Sequence, residues 1–241
     1  MVLNHYTSAT FIIGVIILLY TLYYLITYTK VNRWIHQTLF RAVNKTVFHS
    51  VFFRLLGFTL FGLTTAFIFN VIYDAELDFM TMPIEAPNGV ILMTVFLFFL
   101  AIIVPYLNVK NSKLHPYPQF KIKKWKKRHM LLSYITWALY IAGYEFMFRG
   151  VLLFGTFEEM GYYPAIILNV ALYAFVHIPK GRKEVLGCFI LGPILCFSAL
   201  ETHSLLIPVI LHVTLCLSNE YFSIRREIIK SRKKSARDSI L

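Results

Sequence analysis

Apolar residues run along this chain in stretches much longer than the one-sided stripe of a water-soluble helix. Seven can be marked, at about 9–28, 51–73, 90–107, 129–156, 162–178, 185–200 and 204–223. A helix needs roughly 20 such residues to cross the ~30 Å hydrocarbon layer of a bilayer. The pattern therefore predicts an all-α, polytopic transmembrane bundle of about seven spans. The first run has no Lys or Arg ahead of it and basic residues just behind it, the reverse of a cleavable signal peptide, so it is expected to stay in place as a helix. Gly192-Pro193 is expected to kink the sixth helix, because proline removes a backbone donor and crowds the preceding turn.

The polar segments between the runs set an orientation. Lys30, Arg33, Arg41 and Lys45 follow the first run, and Lys110, Lys113, Lys121, Lys123, Lys124, Lys126, Lys127 and Arg128 precede the fourth. Lys180, Arg182 and Lys183 follow the fifth, and Arg225, Arg226, Lys230, Arg232, Lys233, Lys234 and Arg237 follow the seventh. With seven spans these 22 of 24 basic residues share one side, while Asp74, Glu76, Asp78, Glu85, Glu158, Glu159 and Glu201 fall on the other. By the positive-inside rule the N-terminus lies outside and the C-terminus in the cytoplasm. That distribution describes a multi-pass protein of the cell membrane.

Composition changes this picture little. Hydrophobic residues make up 58% of the 241, against roughly 45–50% in soluble domains. The net charge of +12 sits on the cytoplasmic face, where its expected partner is anionic lipid rather than nucleic acid. Lys121-Ile-Lys-Lys-Trp-Lys-Lys-Arg128 has the character of an interfacial stretch. Cys188, Cys196 and Cys216 all fall in apolar runs with no CxxC spacing, which fits core thiols and no disulfide framework. No repeat or linker divides the chain. It is expected to form N-terminal helices and a basic interfacial loop at 1–128, a core at 129–223 and a basic tail at 224–241.

Two basic residues lie inside spans. Arg54 is one turn from the end of the second and is expected to snorkel to the headgroups. Arg149 is deep in the fourth, with Glu145 one turn before it in the order that favours an i,i+4 pair. Charges in hydrocarbon are costly and mark polar interiors, although a neutralised pair can also serve only to lock helices. His177 ends the fifth span, with Asn169 and Tyr173 at four-residue steps before it. His212 shares a stripe of the seventh with Cys216 and Asn219. Counted at ~1.5 Å per residue from the outer ends, Glu145 and His177 lie about 20 Å deep and His212 about 12 Å.

A carboxylate, a guanidinium and two imidazoles in low dielectric have the parts needed to activate water. Glu145 is the candidate base or water-orienting group, and the imidazoles can share its proton or stabilise an oxyanion. The same residues contain a His2Glu set suited to zinc, but Glu145 already has a cationic neighbour and the chain has no HExxH. No metal or other cofactor is therefore expected.

At these residues the chain resembles the CPBP family (CAAX-protease and bacteriocin-processing intramembrane endopeptidases, also called Abi). The family's motifs Glu-Glu-x-x-x-Arg, Phe-x-x-x-His and His-x-x-x-Asn correspond to Tyr144-Glu145-Phe-Met-Phe-Arg149, Tyr173-Ala-Phe-Val-His177 and His212-Val-Thr-Leu-Cys216. The resemblance covers roughly 130–220 and implies an intramembrane endopeptidase acting on a membrane peptide or protein. In it Glu145, Arg149, His177 and His212 would be catalytic, with His177 contacting the water and His212 helping to form the oxyanion hole. Tyr144, Tyr173 and Cys216 depart from the family's Glu, Phe and Asn. Tyr144 cannot serve as a base at neutral pH, and Asn219, one turn beyond Cys216, could supply the missing amide. Two rivals stand beside the endopeptidase: a non-catalytic relative that binds a membrane or peptide partner, which Tyr144 and Cys216 favour, and a small transporter or proton pathway built on Glu145, His177 and His212.

Overall fold

In the computed structural model the described residues are 8–72, 88–111, 117–122 and 124–238, and they contain helices and no strands. Among the described residues, six helices are long and apolar enough to cross a membrane. They are α1 (Ala9–Tyr28), α3 (Lys45–Asn70), α4 (Asn88–Asn111), α5 (Lys127–Met160), α7 (Arg182–Thr202) and α8 (Leu206–Asp238). The remaining expected span is α6 (Tyr162–Phe175), apolar but only 14 residues long. Asp74, Glu76, Asp78 and Glu85, used above to orient the chain, lie outside the described residues.

Three boundaries differ from the expectation. Lys30 and Arg33 do not sit in a loop but on an amphipathic helix, α2 (Lys30–Leu39), whose first turn is capped by Thr29. The second span starts six residues earlier than the apolar run, at Lys45, because Asn44 Oδ1 accepts from the free backbone N–H groups of Thr46 and Val47. The last helix continues past residue 223 to Asp238, and at 33 residues is about 50 Å long. A charged face does not stop a helix; it only moves the helix out of hydrocarbon. Pro193 lies inside α7, which is helical on both sides of it.

α5 is the central element. Its middle is the most enclosed of the spanning stretches, and α3, α6, α7 and α8 all pack on it or on its continuation. It crosses α3 at two glycines: a Cβ on Gly143 would stand 3.1 Å from Gly62 N, and one on Gly62 3.2 Å from Gly143 Cα. Small residues allow such an approach where helices are held by packing rather than by exclusion of water. From Phe146 to Phe154 the helix widens to π-winding. The i→i+5 pattern re-aims side chains and disturbs carbonyl pairing. Asn169 of α6 donates to the Phe148 carbonyl at 2.6 Å, meeting that need inside the core.

Arg54 does not snorkel. It is fully buried, donating to the Ser133 carbonyl (2.9 Å), Ser133 Oγ (3.0 Å), Thr136 Oγ1 (3.2 Å) and Gln119 Oε1 (3.0 Å). Glu220 of α8 lies 3.8 Å away, and the guanidinium stacks 4.3 Å from the Trp137 ring. Its position in the sequence allows an escape to the headgroups, but α5, α8 and the 117–120 segment close over it and supply better acceptors.

Candidate active site

Glu145 is the last α-helical residue of α5 before the π-segment. Its Oε1 accepts from Arg149 Nη1 at 3.2 Å and from His212 Nδ1 at 2.5 Å, and all three side chains are buried. The expected i,i+4 pair is therefore formed. The counted depths set His212 about 8 Å shallower than Glu145, yet the two are in contact. The count assumed a common outer plane and uniform α-helical rise, whereas part of α5 is π-wound and advances less per residue. Arg149 also lies 4.4 Å from the Tyr173 ring centroid, a cation–π contact that offsets desolvation where Nε and Nη2 find no acceptor among the described residues.

A cavity of about 370 Å³ lies beside this pair. Tyr144, Tyr173, His177, His212, Cys216 and Asn219 all stand on its wall. Glu145 and Arg149 do not; they form a layer behind His212. The structure thus brings all eight residues singled out in the sequence to one place, in two tiers. Asn219 also faces the cavity, but its amide Nδ2 already donates to the Leu215 carbonyl at 3.1 Å.

The two imidazoles are held differently. His177 follows α6, and its Nδ1 lies 2.8 Å from the Tyr173 carbonyl, so that nitrogen must carry the proton. Nε2 is then the acceptor, and Lys180 Nζ sits 3.1 Å from it. Both nitrogens of His177 are engaged, and the ring is neutral. His212 has Nδ1 on a carboxylate, which fixes the tautomer and leaves the other nitrogen for the cavity.

Lys180 is the site residue that sequence reasoning missed, because it lies in the turn Ile178–Lys180 and counted only as cytoplasmic charge. Gly181, at φ +105°, lets the chain reverse into α7 directly after it. The signal was present in the sequence: a lysine three residues after a histidine, within a single turn. A second cavity of about 350 Å³ shares Tyr117, Trp137, Lys180 and Glu184 with the first and reaches His49, so Lys180 stands on both. Tyr144, in place of a carboxylate, has a buried hydroxyl with no hydrogen-bond partner among the described residues. Among the described residues, no group of three or more His, Cys, Asp or Glu side chains is arranged to hold a metal ion.

Residues 126–217, under half of the chain, match a family model described as type II CAAX prenyl endopeptidase Rce1-like. The match encloses all three motifs and agrees with the CPBP resemblance. No curated protein and no solved structure matches the chain.

Proposed function

We propose that this chain, with its Rce1-like region at residues 126–217, is an intramembrane endopeptidase that hydrolyses a peptide bond of a membrane peptide or protein, with His212 as its general base. The observation that carries this reading is the 2.5 Å contact between His212 Nδ1 and Glu145 Oε1, made by an imidazole on a cavity wall. A carboxylate behind a histidine holds the ring in one tautomer and stabilises the imidazolium that forms when the other nitrogen takes a proton. Glu145 therefore acts through His212 rather than directly on water. Arg149 holds the carboxylate in place. Lys180 is a donor on the same wall, suited to charge developing on the scissile carbonyl oxygen.

In this reading the N-terminus faces outward, and α2, the 121–128 segment and the end of α8 lie against anionic lipid on the cytoplasmic face of the cell membrane. A second reading is favoured by one observation. Because both nitrogens of His177 are engaged, the cavity could bind a peptide without cutting it.

One experiment separates the two. The full chain is reconstituted in liposomes with a library of membrane-inserted peptides, and new peptide termini are sought by mass spectrometry. Cleavage that is lost in His212→Ala and Glu145→Gln supports the peptidase. Peptides retained on the protein but left intact support binding alone, and undiminished cleavage by both variants removes His212 and Glu145 from the chemistry.

A further inference from the structure

The cavity beside His212 adjoins a second one. Tyr117, Trp137, Lys180 and Glu184 stand on the walls of both, so the two are neighbouring chambers that share one side. A peptide held with its scissile bond at His212 therefore has a chamber of about 350 Å³ for a side chain further along.

Three uncharged polar groups on α3 and the 117–120 segment face that chamber with hydrogen-bonding capacity to spare. Ser50 of α3 is only 5% exposed, yet its hydroxyl opens onto the chamber and bonds to none of the described residues. Hydroxyls inside helices commonly return to the carbonyl four residues back, as those of Thr27, Thr59 and Thr136 do here. Ser50 does not. Gln119 has its Oε1 taken by Arg54 Nη2 at 3.0 Å. A guanidinium only donates, so the amide oxygen is fixed towards Arg54 and the N–H2 end is left without a partner among the described residues. His49 is held the opposite way. Its Nδ1 lies 3.0 Å from Asn32 Oδ1, an acceptor, so Nδ1 carries the proton and Nε2 is left to accept. Among the described residues the charged side chains on this wall are Lys180 and Glu184, which are of opposite sign.

We propose that this second chamber is a specificity subsite for a carboxamide side chain of the peptide substrate, a glutamine or an asparagine. A carboxamide donates from its nitrogen and accepts on its oxygen, matching His49 Nε2 on one side and Ser50 and Gln119 on the other. A carboxylate only accepts and meets Glu184, whereas an ammonium only donates and meets Lys180. An apolar side chain leaves all three neutral groups unpaired in a confined space, which costs more than the bonds themselves are worth in water. The rings of Phe53 and Trp137 line the chamber for the methylene stem. This inference rests on the peptidase reading and names the substrate feature that its site selects.

The test gives the full chain in liposomes matched membrane peptides in which glutamine, leucine, glutamate or lysine is stepped through the positions flanking the cut. At one fixed distance from the cut, glutamine should exceed the other three in kcat/KM by on the order of tenfold, the scale of a buried hydrogen bond. In Ser50→Ala the ratio of glutamine to leucine should fall by roughly as much. A merely structural loss lowers both rates together and leaves that ratio alone. A ratio near one at every position, or one that Ser50→Ala leaves unchanged, overturns the subsite, and the peptidase survives if His212→Ala still abolishes cleavage. Ser50→Cys provides a readout that does not need cleavage. Its new thiol, mapped by mass spectrometry apart from the three native cysteines, should react with N-ethylmaleimide, and the glutamine peptide should slow that reaction more than the leucine peptide. If no peptide is cut, the peptidase reading falls. Protection that favours the glutamine peptide then upholds the subsite as part of a binding cavity, and equal or absent protection overturns it.

Discussion

Replacing Glu220 with leucine leaves Arg54 buried beneath α5 and α8 without its anion. At 3.8 Å the gross attraction between two unit charges is about 4 kcal/mol at an effective dielectric constant near 20. Breaking a buried pair by removing one partner typically costs about 3–5 kcal/mol. Arg54 keeps its bonds to the Ser133 carbonyl, Ser133 Oγ, Thr136 and Gln119, and its stacking on Trp137, so the lower end applies. A loss of about 3 kcal/mol in a chain this size lowers Tm by roughly 6–12 °C on the scale of soluble domains. Adding Arg54→Met removes the stranded charge, because a buried pair replaced by apolar side chains is often neutral. The double variant should therefore melt above the Glu220→Leu single variant. Thermal unfolding of the purified protein in one detergent, followed by loss of the monomer peak in size exclusion, measures all three. If the double variant melts at or below Glu220→Leu, the pair does not carry the energy assigned to it. The result also concerns the site, since Glu220 and His212 are carried by the same helix.

Gly143→Ala places a methyl 3.1–3.2 Å from the backbone of α3 and should cost about 1–3 kcal/mol by forcing the helices apart. Gly14→Ala, with nothing within 4 Å of the added carbon, should be neutral or stabilising by the same melting assay. Lys180→Met removes the donor from His177 Nε2 while leaving Nδ1 on the Tyr173 carbonyl. In ¹⁵N spectra of histidine-labelled protein the tautomer should be unchanged and the Nε2 resonance moved; an unmoved resonance means the contact is not made. Cleavage by the reconstituted protein should be unaffected by EDTA, and loss of activity restored by added zinc would reassign His212 and Glu145 as ligands.

Hydropathy is a local property, and what it controls was legible from the residues alone. The apolar runs specified a helical membrane bundle because the backbone must satisfy its own hydrogen bonds in hydrocarbon, and a continuous helix does so. The i,i+4 spacing of Glu145 and Arg149 specified their pair, since both ends lie on one helix. The motif residues were visible because polar side chains are rare in such runs. The contacts that give those residues roles join helices far apart in the chain. His212 reaches Glu145 across 67 positions, and Arg54 reaches Ser133 across 79. No periodicity reports such distances. Only the packing of α8 against α5 decided that Glu145 lies behind His212 rather than on the cavity wall. Packing also made Arg54 a buried ion instead of a snorkelling one. A charge near a helix end has two ways to be solvated, by headgroups or by neighbouring helices, and which one wins depends on what those neighbours place around it.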